Sequence, residues 1–549
     1  MENKFVRVAA ATPKIQLANP SYNANVIIEL MRKARDAGVK LLCFPEACIT
    51  GCTCGNLLLR QTLQESAEAA LLKIIEASKE MDMVITVGLT KEYVAFANGR
   101  VLCRVPNYED MDITHECMPG VNAFKGYYYF PLAGIPCPII IQAYAQPEII
   151  GSAEYRRREA WDSCAGYIVV GAGYGESTTD GAYSGHNIIA HKGKILAESP
   201  PFGDGWVIAD IPFEEAKDRI ETFELPKNDS ALPFVATCTD YNEPLNIQAA
   251  GLATRLDHTN SKTAVIGISG GLDSCLALLV AVRAFEMLGR DVSGVYAVTM
   301  PCFGTTAHTK ANAHHLCVAL GIHCHEIDIT PSVTQHLQDI NHPKDIYDVT
   351  FENAQARMRT MVLMNIANQQ NGIVVGTGSL SELALGWATY NGDHMSMYAV
   401  NAGVPKTLVR HTVALYATAC QNTQLKKVLE SILATKVSPE LLPTPQHTED
   451  LVGPYQLHDF FIYHMLVCRR EPKEIFERAK AVFDGAYTSA QILHWQKVFY
   501  TRFFSQQFKR NCMPDAPQVV DISLSPRRGL NMPSDAHATA WLAQLQGLS

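Results

Sequence analysis

The sequence has no long apolar run, no basic tract and no C-x-x-C cysteine pair, and each absence excludes a class of protein. No apolar stretch reaches the roughly 18–20 residues that cross a bilayer, and the first residues lack the apolar core of a signal peptide. A net charge of -9 without a basic tract argues against nucleic acid as the main partner. The 16 cysteines include no C-x-x-C pair, so we expect reduced thiols rather than a disulfide or zinc framework. These absences predict a cytoplasmic protein that binds neither membranes nor nucleic acid.

The length of 549 residues is too great for one hydrophobic core, so the sequence predicts two domains. We place a first domain at residues 1–224, a linker at 225–244 and a second domain with a C-terminal tail at 245–549. The linker is predicted from Pro226, Pro233 and the scattered polar residues around them.

The first domain alternates strands and helices, which is typical of layered α/β folds. A strand at 5–11, a helix at 21–37 and a strand at 39–44 begin this alternation. Periodicity is poor from 91 to 165. Within that stretch the sequence Y-Y-Y-F followed by a proline-rich run, at 127–138, indicates a loop.

The most informative stretch is T-A-V-I-G-I-S-G-G-L-D-S-C-L-A-L-L-V-A-V at 263–282, which predicts a strand, a glycine turn and a helix. Glycines let backbone N–H groups approach a ligand, and a helix N-terminus favours negative charge, so this turn is a candidate anion site. No G-K-[S/T] follows, which excludes the phosphate loop of kinases and GTPases. The string S-G-G-x-D-S resembles instead the loop of the ATP pyrophosphatases, although a plain turn between a core strand and a helix would look similar. The resemblance implies that ATP phosphates are bound by the consecutive residues Gly267, Ile268, Ser269, Gly270, Gly271, Leu272, Asp273 and Ser274.

Three further stretches carry polar residues in unusual places. The stretch G-T-G-S-L-S-E-L-A-L-G-W-A-T-Y-N-G-D (376–393) begins at a predicted strand end, where open α/β sheets bind ligands, and it carries Glu382 early in a helix. Together with Asp273, Glu382 would complete an oxygen-rich Mg²⁺ site, or it could be a solvated carboxylate. In V-P-K-T (404–407), Lys406 could neutralise charge on a transferring phosphate or lie on the surface. In F-E-N-A-Q-A-R (351–357), Asn353 and Arg357 share one helical face and could bind a polar ligand or face water.

Taken together, these strings resemble the glutamine-dependent NAD⁺ synthetases. The match extends through T-M-P-C-F-G-T-T (299–306), V-P-K-T-L-V-R (404–410), S-P-E-L-L-P (438–443), T-E-D-L-V-G-P-Y-Q-L-H-D-F-F (448–461) and F-F-S-Q-Q-F-K-R (503–510). The resemblance implies a nitrilase-like α/β sandwich followed by a doubly wound, parallel-sheet ATP-pyrophosphatase domain of the Rossmann-like type. It also implies that Mg²⁺-ATP adenylates the nicotinic acid carboxylate of deamido-NAD⁺, and that ammonia then displaces AMP to give NAD⁺, in a homo-oligomer.

The same resemblance implies a role for individual residues. Asp273 and Glu382 would hold Mg²⁺, Lys406 would stabilise developing negative charge, and Thr377 would lie in the ATP site near the adenylate. The deamido-NAD⁺ site would comprise Asn353, Arg357, Glu382, Trp387, Ala388, Thr389, Tyr390, Asp393 and Lys509. Ser379 departs from the family, where G-T-G-D-L-S-E is expected, and should soften the site without removing either Mg²⁺ carboxylate.

The family's first domain is a glutamine amidase that needs a Cys nucleophile, a Glu base and a Lys for the tetrahedral oxyanion. The string F-P-E-A-C-I-T-G-C-T-C-G (44–55) matches the glutamate segment and makes Glu46 its counterpart. The expected V-P-K reads V-P-N at 105–107, and the surroundings of the nucleophile, E-I-C-E-D-x-W, are absent. Cys117, Cys137 and Cys164 lie in other contexts, and a catalytic thiolate requires a positioned base. We therefore expect a shortened, degenerate amidase domain and a synthetase that uses free ammonia or ammonia from a partner.

Three alternatives remain open from the sequence. The first is the ordinary glutamine-dependent reaction with an unrecognised nucleophile. The second is a relative that amidates another adenylated carboxylate. The third is a non-catalytic assembly or regulatory protein that binds nucleotide without turnover.

Overall fold

A computed structural model of the chain describes residues 5–90, 92–106, 116–118, 121–124, 127–130, 139–162, 166–212, 230–436, 438, 440–443 and 447–548. The chain divides into two compact units. The first comprises Met1–Ser177 and Ala182–Pro226, and the second comprises Thr178–Gly181 and Lys227–Ser549. No helix in the described part of the chain is long and apolar enough to cross a membrane.

The first unit contains thirteen described strands and three described α-helices. The strands are β1 (Phe5–Ala11), β2 (Leu41–Cys43), β3 (Val84–Gly88), β4 (Glu92–Ala97), β5 (Arg100–Pro106), β6 (Glu116–Met118), β7 (Val121–Phe124), β8 (Tyr127–Phe130), β9 (Ile139–Tyr144), β10 (Gly166–Gly171), β11 (Ile188–His191), β12 (Lys194–Glu198) and β13 (Trp206–Pro212). The helices are α1 (Pro20–Asp36), α2 (Gln61–Ala77) and α3 (Ser152–Asp162).

These elements form a sandwich of two sheets between helices. One sheet has the order β13-β1-β2-β3-β4-β5 and the other has the order β12-β11-β10-β9-β8-β7-β6. Val8 and Leu41 of the first sheet share a buried cluster with Ile141 and Ile168 of the second, so the two sheets pack face to face. Apolar residues of α1 and α2 cover the outer face of the first sheet, and Ala160 of α3 packs against the second.

One expectation for this unit is wrong. Residues Tyr127–Phe130 form strand β8, paired with β9, instead of a loop. The run Y-Y-Y-F consists of aromatic residues, which have high strand propensity. The loop was predicted from the proline-rich residues that follow the run. Those residues, 131–138, lie outside the described part of the chain.

The second unit is built on five short strands with helices on both faces. The strands are β14 (Thr263–Gly267), β15 (Val295–Thr299), β16 (Cys324–Glu326), β17 (Gly372–Gly376) and β18 (Tyr398–Ala399). The helices are α4 (Asn242–His258), α5 (Leu272–Met287), α6 (Ala307–Ala319), α7 (Thr330–Asp339), α8 (Val349–Gln369), α9 (Leu380–Leu385), α10 (Lys406–Ala419), α11 (Thr423–Ala434), α12 (Thr448–Val452), α13 (Tyr455–Ile462), α14 (Pro472–Val482), α15 (Ser489–Ser505), α16 (Gln507–Arg510) and α17 (Thr539–Ala543). Helix α4 begins inside the stretch 225–244 expected to be a linker.

The sheet of the second unit has the order β16-β15-β14-β17-β18, and every neighbouring pair is parallel. Val265, Val298 and Val374 pack against α7 and α8 in one buried cluster. Ala264 and Ile266 alternate with Val265 along β14 and are fully buried; α5 packs against this strand, and α4 packs against α5. The chain order changes direction on either side of β14, which places a ligand crevice at the carboxyl end of that strand.

Candidate functional site

The glycine turn after β14 forms the floor of the candidate site. Gly270 has a φ of +80°, and a Cβ there would lie 1.9 Å from the carbonyl oxygen of Thr309, so only glycine fits. The backbone N–H of Gly271 donates to Ser269 Oγ at 3.2 Å, and Ser274 Oγ donates to the carbonyl of Gly271 at 3.1 Å. Helix α5 follows at once, so its N-terminus lies at the carboxyl end of the central strand. This arrangement can bind an anion.

Three charged side chains from three helices meet beside this turn. The ammonium group of Lys406, at the start of α10, donates to Asp273 Oδ2 of α5 and to Glu382 Oε1 of α9, the latter at 2.9 Å. The Lys406 side chain is only 4% exposed. The structure thus brings together all three residues that the sequence assigns to catalysis, which are far apart along the chain.

Burial and mutual charge shift the pKa values in this cluster. Burial raises the pKa of Asp273 to about 6, the negative charge of Glu382 adds to the effect, and Lys406 opposes it. Burial disfavours the charged form of Lys406, but the negative charges of Asp273 and Glu382 favour it more strongly. The pKa of the lysine therefore lies above its ordinary value. The lysine is therefore a permanent cation in this site.

The carboxylates are suited to a Mg²⁺ ion. Asp273 Oδ1 is buried and accepts no hydrogen bond from any described residue, so it has a free lone pair in the site. Mg²⁺ prefers carboxylate oxygens and is commonly held by one or two of them together with substrate phosphates. No cluster of three or more His, Cys, Asp or Glu side chains that could hold a metal ion occurs in the described ranges. Two carboxylates are fewer ligands than Mg²⁺ takes, so waters or substrate phosphates would complete its coordination if the ion binds here.

Ser379 orients Glu382 at the first turn of α9. The N–H and Oγ of Ser379 donate to Glu382 Oε2 at 2.9 and 3.1 Å, and the N–H of Glu382 donates back to Ser379 Oγ at 3.4 Å. This is a capping box, which satisfies N–H groups that the helix itself leaves unpaired. Ser379 is the position at which the family resemblance leads one to expect an aspartate.

Asn401 joins the first turn of α5 to the residue that follows β17, and the sequence analysis missed it. Its fully buried amide donates to the carbonyl of Asp273 at 2.9 Å and to that of Thr377 at 3.0 Å. Gln248 Nε2 in turn donates to Asn401 Oδ1 at 2.9 Å. The sequence N-A-G at 401–403 carries only a turn signal, so nothing local indicates this role.

The loop at 386–393, predicted to line the deamido-NAD⁺ site, is held from several sides. Lys509 Nζ donates to the carbonyls of Gly386 and Ala388, both at 2.7 Å. Thr389 Oγ1 donates to Asn353 Oδ1 at 2.7 Å, and the N–H of Thr389 donates to Asp393 Oδ1 at 2.8 Å. The loop is therefore fixed by residues that the sequence assigns to the same site.

Two arginines outside the loop also contact it. Arg357 is exposed and donates from Nε to the carbonyl of Tyr390 at 3.2 Å. The guanidinium of Arg502, which the sequence analysis missed, lies 5.3 Å from the ring centroid of Trp387. Burial raises the pKa of Asp393 to about 6.

In the first unit, Glu46 follows β2, and its backbone packs tightly against Gly88. A Cβ on Gly88 would lie 2.5 Å from the Cα of Glu46. Glu176 fixes the loop after Glu46 by accepting hydrogen bonds from the N–H groups of Cys52 and Thr53 at 2.9 and 3.1 Å.

Most candidate nucleophiles of this unit lie outside the part of the chain that the structure describes. Cys117 lies in β6, whereas Cys137, Cys164 and Asn107 lie outside the described residues. Burial raises the pKa of Cys48, close to Glu46 in sequence, to about 12, which keeps that thiol protonated.

Two protein families match the chain. The sequence model described as NAD synthase matches residues 245–496, and the one described as carbon-nitrogen hydrolase matches residues 7–110. A glutamine-dependent NAD(+) synthetase of Mycobacterium leprae is 35% identical over 664 aligned residues, covering 99% of this chain and 98% of the relative. This alignment is longer than the 549-residue chain, so the relative has residues for which this chain has no counterpart.

Solved structures match almost the whole chain. A glutamine-dependent NAD(+) synthetase from Cytophaga hutchinsonii has a TM-score of 0.78 at 18% identity, covering 99% of this chain and 100% of that one. The Acinetobacter baumannii enzyme, solved in complex with ADP, has a TM-score of 0.64 at 18% identity, covering 97% and 98%. These likenesses confirm the predicted fold class.

Proposed function

The chain belongs to the family of glutamine-dependent NAD(+) synthetases, ligases that form a C–N bond, and from this premise we propose how its second unit carries out the reaction. The carboxylate oxygen of deamido-NAD⁺ attacks the α-phosphorus of ATP, and pyrophosphate leaves. The nitrogen of ammonia then attacks the acyl carbon, AMP leaves, and the nitrogen loses a proton to give the amide. The observation that carries this proposal is the contact of Lys406 with both Asp273 and Glu382 beside the glycine turn.

Different residues of the second unit bind ATP, stabilise developing charge and bind deamido-NAD⁺. The N-terminus of α5, with the hydroxyls of Ser269 and Ser274, binds phosphate oxygens of ATP. Lys406 compensates the negative charge that develops as pyrophosphate leaves. Asp273 and Glu382 would hold Mg²⁺, which when bound neutralises phosphate charge and polarises the phosphoryl group. The loop at 386–393, with Asn353, binds deamido-NAD⁺.

We further propose that the nitrogen comes from free ammonia or from a partner protein, because the sequence of the first unit lacks the motifs expected around the amidase lysine and cysteine. The asparagine at 107 replaces the expected lysine, and no cysteine has the expected surroundings. The carbon-nitrogen hydrolase match ends at residue 110, and the chain has gaps against its longer relative. The first unit would then serve structure or assembly, in a cytoplasmic homo-oligomer.

The test measures NAD⁺ formation from deamido-NAD⁺ and Mg²⁺-ATP with ammonium and with glutamine in parallel. We expect turnover with ammonium and none with glutamine. Equal turnover with glutamine would overturn the ammonia proposal and favour the glutamine dependence for which the relatives are named. In that case Cys117→Ala, Cys137→Ala and Cys164→Ala would identify the nucleophile. No turnover with either nitrogen source would overturn the synthetase assignment.

A further inference from the structure

Asp459 occupies a fully buried position behind the cluster of Lys406, Asp273 and Glu382. Its carboxylate oxygen Oδ2 accepts hydrogen bonds from the N–H of Thr407 at 2.9 Å and from Thr407 Oγ1 at 2.6 Å. Its other oxygen, Oδ1, accepts from Ser381 Oγ. Both oxygens of this buried carboxylate accept hydrogen bonds, three in all, which offset part of the cost of burying it, although burial still raises the pKa of Asp459 to about 6.

These contacts join the two helices that carry the charged cluster. Ser381 precedes Glu382 on α9, and Thr407 follows Lys406 on α10. Ser381 Oγ also accepts from the N–H of Lys406 at 2.8 Å, which closes the network. The carboxylate of Asp459 and the direct hydrogen bond between Ser381 and Lys406 together fix how far apart the first turns of α9 and α10 lie.

Asp459 also replaces a cap that α10 lacks. The residue before α10 is Pro405, whose side chain makes no capping hydrogen bond. A carboxylate at a helix N-terminus satisfies free N–H groups and interacts favourably with the helix dipole. Here the carboxylate comes from another helix, α13, so the start of α10 depends on a tertiary contact.

The same face of α13 reaches Lys406 directly. Tyr455 lies one turn before Asp459, and its ring centroid is 5.1 Å from Lys406 Nζ. The lysine ammonium is thus supported by an aromatic ring while its backbone is held by Asp459 through Ser381. Such support limits the positions that the ammonium group can adopt.

We propose that Asp459 is a positioning residue for the synthetase reaction, acting through Thr407 and Ser381 to hold Lys406 against Glu382 and Asp273. This inference rests on the function proposed above. A displacement of about 1 Å at a charge-stabilising group can lower a rate by roughly 100-fold, so loss of this support should reduce kcat. Substrate binding elsewhere should change little, because Asp459 lies behind the cluster.

The test compares Asp459→Asn and Thr407→Val with the control Thr412→Val. In Asp459→Asn, an N–H₂ group replaces one of the two carboxylate oxygens. This group, itself a donor, must then face either the two donors of Thr407 or the hydroxyl of Ser381. Thr407→Val removes only the hydroxyl donor. Thr412, on the same helix, is buried and donates from Oγ1 to the carbonyl of Leu408 at 2.8 Å, so its valine variant removes a comparable bond away from the site.

The measured quantities are kcat and KM for ATP and for deamido-NAD⁺ with saturating ammonium, at a temperature below the Tm of every variant. We expect kcat to fall about 10- to 100-fold in Asp459→Asn and about 3- to 10-fold in Thr407→Val, with both KM values within about threefold of wild type. Thr412→Val should lose stability and keep its kcat. In the double variant Asp459→Asn/Thr407→Val, the fold-decrease in kcat should be smaller than the product of the two single fold-decreases, because both changes act on one contact.

Two kinetic results would overturn the proposal. One is a kcat in both test variants within about twofold of Thr412→Val, which would make Asp459 a structural residue only. The other is a raised KM with unchanged kcat, which would make it a contributor to substrate binding. If Asp459→Asn fails to fold, Thr407→Val decides between these results.

A wild-type protein that forms no NAD⁺ would contradict the proposed function, and a crystal structure of Thr407→Val then tests the positioning separately. The distance from Lys406 Nζ to Glu382 Oε1, 2.9 Å here, should lengthen beyond hydrogen-bonding range. An unchanged distance would overturn the inference.

Discussion

Ser379 and Glu382 are hydrogen bonded to each other in both directions at the first turn of α9, through three contacts of 2.9, 3.1 and 3.4 Å. All three involve Glu382 Oε2 or the Glu382 N–H, so they leave Glu382 Oε1 to meet Lys406 Nζ at 2.9 Å. The serine therefore determines which oxygen of Glu382 faces the site. The family resemblance, which leads one to expect an aspartate at this position, does not indicate this structural role.

We expect Ser379→Ala to lower both stability and turnover. Loss of the cap should reduce the free energy of unfolding by about 1 kcal/mol, and a freer Glu382 should reduce kcat severalfold. Ser379→Asp retains an oxygen for the cap and should keep more activity than the alanine variant. Denaturant unfolding and steady-state kinetics on both variants test this. Equal kcat in Ser379→Ala and wild type would show that the cap does not orient Glu382.

Lys406→Met should abolish NAD⁺ formation and also destabilise the fold. It leaves Asp273 and Glu382 facing each other without a cation, and an uncompensated buried charge costs about 3–5 kcal/mol. Adding Asp273→Asn removes one of the two charges, so the double variant should be more stable than Lys406→Met while remaining inactive. Urea unfolding of both variants checks the order of stability. A double variant no more stable than Lys406→Met would contradict this electrostatic account.

Gly270→Ala should weaken ATP binding by at least about tenfold. The substitution introduces a Cβ that would lie 1.9 Å from the carbonyl oxygen of Thr309, and that backbone must move. Gly321→Ala is a matched control, because Gly321 also has a positive φ, of +72°, but its Cβ would meet nothing within 4 Å. Calorimetric titration with Mg²⁺-ATP separates the clash from the backbone strain that both variants share. Similar ATP affinities in the two variants would contradict the importance of the close approach.

His458 should make the second unit sensitive to acid. Its ring is fully buried, Nε2 donates to the carbonyl of Val452 at 2.7 Å, and burial lowers its pKa to about 4. Because the folded state holds the neutral ring, this contribution to stability is complete above the ordinary histidine pKa near 6.5. It is lost as the pH falls from there towards 4, by on the order of 3 kcal/mol.

The measurement for His458 is the free energy of unfolding from pH 7 to pH 4. In His458→Gln the decline over this range should be smaller than in wild type, whatever the absolute stability of the variant. His494→Gln, at an exposed histidine, is the control and should show the wild-type slope. An identical slope in His458→Gln would assign the acid sensitivity to other groups.

Local signals made much of the second unit predictable. The apolar run and glycines after residue 263 predicted β14, the turn and α5. In the first unit, the helix expected at 21–37 is Pro20–Asp36. The observed ends of these elements differ from the predicted ends by only a few residues, because periodicity already indicates where an element ends and capping contacts only refine that position.

Asn401 and Asp459 could not be predicted in the same way. Asn401 bonds to Asp273 and Thr377, and Asp459 bonds to Ser381 and Thr407, all distant in sequence. No local pattern of residue types indicates such contacts, because they depend on how helices and strand ends meet in space. The roles assigned to the predicted site residues stay predictions, although their proximity within the second unit supports them.

The contact of Lys406 with both carboxylates gives the protein an internal counter-ion. Under the proposed function, a divalent cation that arrives with ATP would have to displace a tethered ammonium group, whose effective concentration does not change on dilution. The metal affinity would then depend on a competition within the chain as well as on the carboxylates themselves. Removal of that metal would return the lysine to both carboxylates, so we expect the fold to remain stable in a metal-free medium.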